Sequence, residues 1–126
     1  MGKEIVSTEK APVAIGPYSQ AVKANGFVFT SGVIPVDPAT GKVVEGAITE
    51  QATQVLENLT AMLAASGSSL DQAVKTTCFL VDLNDFAAFN SVYATYFDSD
   101  QPARSTFQVA KLPLGVLVEV ECVALV

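Results

Sequence analysis

Val116-Leu117-Val118-Glu119-Val120-Glu121-Cys122-Val123-Ala124-Leu125-Val126 runs to the last residue of the chain. Branched apolar residues dominate it, and it reads as a strand. At a period of two, Glu119 and Glu121 share one face, and apolar residues occupy both sides. A strand that is apolar on both sides belongs to a sheet covered on both faces. Helices are the expected cover for one face and a second subunit for the other.

Working back from this strand, Arg104 to Val109 and Val74 to Val81 read as two more strands. Between them a helix runs from about Asp85 to Phe97, capped by Asn84, with Phe86, Phe89, Tyr93, Tyr96 and Phe97 on its apolar face. An earlier helix shows in Ala52, Val55, Leu56, Leu59, Met62 and Leu63, which recur at spacings of three and four. Thr49 is its expected N-cap, Glu50 sits near the positive end of its dipole, and Gly67 is its stop. Pro35, Pro38 and Gly41 break the preceding stretch into a loop. Gln20 to Ala24 and Phe27 to Ser31 flank Asn25-Gly26, a strong hairpin signal, and Ile5 to Ser7 is a short first strand. The order β-ββ-α-β-α-ββ predicts an α+β fold, a mixed sheet with both helices on one face, in one domain over residues 1–126.

Composition supports the uncovered second face. Of 126 residues, 50% are hydrophobic and only 16% are charged, against about 25% charged in an average soluble domain. Part of the surface is therefore expected to be buried against other subunits. There is no histidine, which excludes a Ser–His–Asp triad, a Cys–His pair and His-ligated zinc. Two cysteines, Cys78 and Cys122, are too few for a structural zinc site and are expected to be free thiols. No G-x-G pair marks a dinucleotide loop, and Gly41-Lys42 lacks the first glycine and the Ser/Thr of a phosphate loop. The net charge of −6 repels phosphate backbones, so nucleic acid is not an expected partner. No apolar run approaches the ~18 residues of a membrane span, and residues 1–10 have no signal-peptide core. The expected location is cytoplasmic.

Arg104 is the sole arginine, set in Gln101-Pro102-Ala103-Arg104-Ser105-Thr106 at a strand start. Its rigid fork suits a carboxylate, and the competing reading is a surface ion pair with one of 13 acidic residues. Glu119 or Glu121 can orient a water or take a proton if burial raises its pKa, or simply guard an exposed strand. Ile15-Gly16-Pro17-Tyr18-Ser19 presents a tyrosine on a turn, and Phe29-Thr30-Ser31-Gly32 ends a strand with a hydroxyl and a bare backbone.

These motifs join. Ala14-Ile15-Gly16-Pro17-Tyr18-Ser19-Gln20-Ala21, Thr30-Ser31-Gly32-Val33-Ile34-Pro35, Asp82-Leu83-Asn84-Asp85-Phe86 and Pro102-Ala103-Arg104-Ser105 closely resemble the Rid family, also called YjgF or L-PSP endoribonuclease-like. Val74-Lys75-Thr76-Thr77 and Val109-Ala110-Lys111-Leu112-Pro113 agree with it, in order over nearly the whole chain. The resemblance implies a chorismate-mutase-like mixed sheet with two helices on one face. It also implies a homotrimer with central apolar sheet faces and sites in the clefts between subunits. The implied activity is hydrolytic deamination of short 2-imino acids and their enamine tautomers to 2-oxo acids and ammonia, without a cofactor or metal.

By position in the family motifs, Arg104 would clamp the substrate carboxylate, assisted by the backbone N–H of Thr106, and Glu119 would position the attacking water. Tyr18, Ser31 and Gly32 would line the pocket, Gly32 through its carbonyl, and Asn90 falls at another position common in the family. Thr106 stands where the family often has cysteine. Val33 stands where many members have glutamine, which predicts a more apolar pocket, and the segment before Pro102 is shorter than usual. Two other readings use the same residues. One is a regulatory protein that binds small carboxylates without turnover. The other is a ribonuclease or translation inhibitor, which the acidic charge disfavours.

Overall fold

The computed structural model describes residues 2–126. Its first elements are β1 (Glu4–Val6), β2 (Ala21–Ala24) and β3 (Phe27–Thr30). Asn25 and Gly26 both have positive φ, 55° and 84°, as the tight turn between two twisted antiparallel strands demands. The Pro35–Gly41 stretch, expected to be loop, instead folds into a miniature hairpin, β4 (Val36–Asp37) with β5 (Lys42–Val43). Asp37 makes the turn, its carboxylate accepting from Ala39 N at 2.9 Å and its carbonyl from Gly41 N at 2.8 Å.

Helix α1 (Ile48–Ala65) follows. Thr49 is not its N-cap: Ala47 holds that position, one turn being closed by Glu50, whose Oε1 accepts from Ala47 N at 2.8 Å. The acid thus satisfies a backbone donor directly, beyond its favourable place on the dipole. The other end closes as expected at Gly67, with Gly67 N bonded to Ala64 O and Ser68 N to Leu63 O, a Schellman arrangement. The remaining elements are β6 (Ala73–Leu80), α2 (Phe86–Tyr96), β7 (Ala103–Gln108) and β8 (Val118–Leu125). Asn84 does not cap α2. It lies in a short 3₁₀ turn, Leu83–Asp85, whose start is capped by the Asp82 carboxylate accepting from Asn84 N, and Asp85 is the N-cap of α2.

Six strands form one mixed sheet in the order β1-β2-β3-β8-β6-β7. The last strand of the chain is therefore central, antiparallel to both β3 and β6, while β6 and β7 are parallel and joined through α2. Alternate β8 residues Val118, Val120, Cys122 and Ala124 are buried. They join Val55, Leu56, Leu59 and Leu63 of α1 and Phe89 and Tyr93 of α2 in one core cluster, so both helices cover the same sheet face. Each fully buried leucine contributes about 1.5–3 kcal/mol. The only ion pair among the described residues, Lys23 to Glu4 at 3.2 Å, has an exposed glutamate and adds little.

Three buried polar side chains tie loops to this core, none of them foreseen in that role. Gln20 reaches into the N-terminal segment, accepting from Thr8 N at 2.7 Å and donating to Thr8 O and Pro12 O at 3.0 and 2.7 Å. Asn58, inside α1, donates to Ile34 O and Val36 O, and Gln51 accepts from Leu117 N. Each satisfies loop backbone groups that would otherwise be buried without partners.

The opposite sheet face is open and largely apolar. Phe29, Phe107 and Leu125 on it are 45%, 52% and 42% exposed, and Phe79 stacks on Phe107 at 6.5 Å.

Cys78 and Cys122 are free and buried. Burial pushes their thiols up to about 11 and about 12, the Cys78 rise being partly offset by Arg104 and by nearby hydroxyls. Both should resist alkylation in the native protein at pH 8 and titrate as two thiols per chain after unfolding without reductant. A titration that found none would mean that they are bridged.

Candidate functional site

Two clefts gather most of the candidate residues. The first, about 290 Å³, is lined by Ile15, Tyr18, Ser31, Gly32, Ile34, Pro113 and Glu119. Glu119 projects from the open face of β8, half-buried, and no hydrogen bond or ion pair reaches its carboxylate among the described residues. Burial raises its pKa above the ordinary carboxylate value, and the negative charge of Glu121, two residues along the same face, raises it further. Gly32 is the seat of this carboxylate: a Cβ on Gly32 would lie 1.8 Å from Glu119 Oε2 and 2.6 Å from Cδ. Only a residue without a side chain lets the acid lie there. Ser31 Oγ donates to Ser19 O at 2.6 Å and Tyr18 Oη accepts from Ile15 N at 3.2 Å, so the two hydroxyls fix the loop that walls the cleft. Val33 bridges to Val120 and is mostly buried in the core; it lines a small adjoining hollow with Tyr18, Ser31, Gly32 and Ile34, while Ile15, Ile34 and Pro113 supply the apolar wall of the larger cleft.

The second cleft, about 340 Å³, is lined by Asn90, Tyr93, Ala94, Phe97, Gln101, Pro102 and Arg104. Arg104 is half-buried on β7 and donates from Nη1 to Asn90 Oδ1 at 2.8 Å. Its guanidinium carbon lies 4.7 Å from the centroid of the Tyr93 ring and 5.3 Å from that of Phe86. No carboxylate among the described residues pairs with it, although the chain has 13 acids. This removes the surface ion pair as an account of the sole arginine. Thr106 follows on the same side of β7, opposite Cys78, its Oγ1 buried without a hydrogen-bond partner among the described residues.

Within one chain these two groups of residues do not meet. Arg104 pairs in register with Thr76 of β6, and Glu119 with Phe79. Thr76 and Phe79 point to opposite faces, so Arg104 is on the helix side of the sheet and Glu119 on the open side. Three residues along β6 and two strand spacings separate their Cα atoms by about 14 Å. Tyr18, Ser31, Gly32 and Glu119 therefore come together in one place, and Asn90 and Arg104 in another. The sequence reading missed the stacking of Tyr93 and Phe86 on Arg104. The signal was present in the spacing of Phe86, Asn90 and Tyr93, four and then three residues apart on one helix face.

Among the described residues no group of three or more His, Cys, Asp or Glu side chains gathers to hold a metal, and no helix is long and apolar enough to cross a membrane.

The likeness of the chain to known proteins extends over almost all of it. Reactive Intermediate Deaminase A, chloroplastic, from Arabidopsis thaliana is 55% identical over 122 residues, 97% of this chain and 65% of that protein. The 2-iminobutanoate/2-iminopropanoate deaminase of Mus musculus is 47% identical over 97% of this chain and 90% of its own. The crystal structure of E. coli TdcF with bound serine superposes with a TM-score of 0.93 at 45% identity, covering 98% of both chains. The family model described as Endoribonuclease L-PSP matches residues 8–126, and with identities of this order across the whole fold the chain belongs to that family.

Proposed function

We propose that this protein is a hydrolytic deaminase of short 2-imino acids and their enamine tautomers, working as a homotrimer with each site shared by two subunits. The observation that carries the reading is Arg104: a half-buried guanidinium, held by a neutral amide and without a counter-ion among the described residues. Such a group is poised for an anion from outside the chain. The deaminase names of the Arabidopsis and mouse relatives support it, as does the serine bound in E. coli TdcF, which sets a carboxylate beside an α-nitrogen.

One subunit supplies Arg104, Asn90 and the Thr106 N–H. Its neighbour supplies Glu119, Tyr18, Ser31 and the Gly32 carbonyl. The imine carbon is bonded directly to the carboxylate carbon, about 1.5 Å away, so one small molecule spans both groups only if two chains bring them together. The open face with exposed Phe29, Phe107 and Leu125 is the surface that association buries. Arg104 holds the carboxylate and leaves the imine carbon beside Glu119. Glu119 takes a proton from a water as its oxygen bonds to that carbon, then returns it to the nitrogen. The carbinolamine then gives its hydroxyl proton to Glu119 as the C–N bond breaks, releasing the 2-oxo acid and ammonia. Without a partner among the described residues, and with its proton held more tightly than usual, Glu119 is suited to this exchange. The iminium carbon is already electrophilic, so orientation is the main demand on the site.

An amino-acid oxidase generating imine in situ supplies the test. Imine should decay faster with the protein than without it. Unchanged decay alongside measurable 2-oxobutanoate binding would leave a carboxylate-binding protein instead. Sedimentation equilibrium should give three times 13.2 kDa. A concentration-independent monomer would remove the shared site.

A further inference from the structure

We infer that one face of α2, presenting Phe86, Asn90 and Tyr93, is a positioning cradle that presets the Arg104 guanidinium before any ligand arrives, an inference that rests on the role proposed for Arg104. An arginine side chain has several rotatable bonds, and fixing them costs affinity if it happens only on binding. Here the fixing is built in. Asn90 Oδ1 takes one Nη1 hydrogen at 2.8 Å, and the rings of Tyr93 and Phe86 stand 4.7 and 5.3 Å from the guanidinium carbon. Tyr93 is itself locked: its hydroxyl shares a hydrogen bond of 2.7 Å with Thr76, buried on β6. Thr76 is also the register partner of Arg104. The ring under the guanidinium is therefore tied to the neighbouring strand at the same level of the sheet. Phe97 stacks on Tyr93, with centroids 4.5 Å apart, and adds to the support of that ring.

The cradle has a chemical consequence. Aromatic rings attract the cation without neutralising it, whereas an acid in their place would consume the charge. With one amide as its only hydrogen-bonding partner among the described residues, the remaining donors of the fork stay available for a planar carboxylate. Phe86 and Tyr93 are thus positioning residues, acting on the ligand only through Arg104.

The test uses the full-length protein and 2-oxobutanoate as probe. Phe86 is half-buried, so Phe86→Leu keeps an apolar group of similar size and removes the π face, while Phe86→Tyr restores the face. Calorimetric titration should show 2-oxobutanoate bound about three- to ten-fold more weakly by Phe86→Leu and normally by Phe86→Tyr. Imine turnover should show the same loss as a raised KM with kcat little changed. In an Arg104→Ala background Phe86→Leu should cost nothing further, and an additive loss there would overturn the inference. A second readout needs no ligand. Because Arg104 is the sole arginine, its side-chain N–H signals in the NMR spectrum need no assignment. Slow guanidinium rotation in the unliganded protein, faster in Phe86→Leu and in Tyr93→Phe, is expected. Equally free rotation in all three would sink the cradle even if the deaminase is active. A restrained guanidinium in a protein without turnover would retain the cradle and refute the deaminase.

Discussion

Arg104→Ala should weaken binding of a 2-oxo acid by about ten-fold to several hundred-fold, since each charge-assisted hydrogen bond to a desolvated carboxylate contributes about 1.5–3 kcal/mol. The size of the effect follows from scarcity. No second arginine exists to substitute, and no lysine is among the residues lining the Arg104 cleft. Arg104→Lys should rescue little, because an ammonium keeps the charge but loses the planar fork and the geometry that Asn90 and the two rings are built around. The fold should survive both changes: Arg104 sits on edge strand β7, outside the core cluster, and makes no ion pair among the described residues. Calorimetry with 2-oxobutanoate, imine turnover and sedimentation on the same preparations separate these effects. Normal binding and turnover in both variants would remove the arginine from the site, and the deaminase reading with it.

Glu119→Gln should lower imine turnover by about 10²–10⁴-fold, the usual contribution of a positioned acid–base group, while leaving 2-oxobutanoate affinity largely intact. Glu121→Gln should do much less, because Glu121 is exposed and lines neither cleft. Its one expected effect is electrical: removing its charge lowers the raised pKa of Glu119, so the acidic limb of the pH–rate profile moves to lower pH. The same shift has a stability sign. The folded state holds the Glu119 proton more tightly than the unfolded chain. Its contribution is thus fully present below the ordinary carboxylate value and is lost as pH rises through the higher folded value. Glu119→Gln should flatten that slope and raise the melting temperature at pH 7, a protein more stable and less active. Normal turnover in Glu119→Gln with an inactive Glu121→Gln would place the motif two residues too early. Mixing Arg104→Ala with Glu119→Gln subunits and refolding them together gives a sharper result. If each site takes its arginine and its glutamate from different chains of a closed ring, about a quarter of the sites recover both groups and activity returns from two dead variants. If one chain supplied both, mixing would restore nothing.

Much of the fold was legible because its signals are local. The period of two in Val118–Leu125, the three-and-four spacing of Ala52 to Leu63 and the Asn25-Gly26 turn each depend on residues within a few positions of one another. Helix starts were the weak point. Thr49 and Asn84 have the right chemistry for caps, yet Glu50 and Asp82 make the bonds, a choice among neighbours that chemistry alone does not rank. Gln20, Gln51 and Asn58 tie down loop backbone 8 to 66 residues away, beyond the reach of any local pattern.

The candidate site divides in the same way. Residue types drew attention to Arg104, to the pair Glu119 and Glu121, and to Tyr18, Ser31 and Gly32, while only the resemblance to the Rid family nominated Asn90 and Thr106 and chose Glu119 over Glu121; a lone arginine in a histidine-free chain pointed to an anion rather than a triad or a metal. Which of them share a cleft was decided by tertiary structure, through strand register. The last strand inserts between β3 and β6, which puts Glu119 level with Phe79, and β7 pairs with the other edge of β6, which puts Arg104 level with Thr76. Because side chains alternate along a strand, this odd offset sends the acid and the arginine to opposite faces. A sequence carries the parity of each strand by itself. Only the assembled sheet relates the parity of one strand to that of another, and with it which groups a single chain keeps apart.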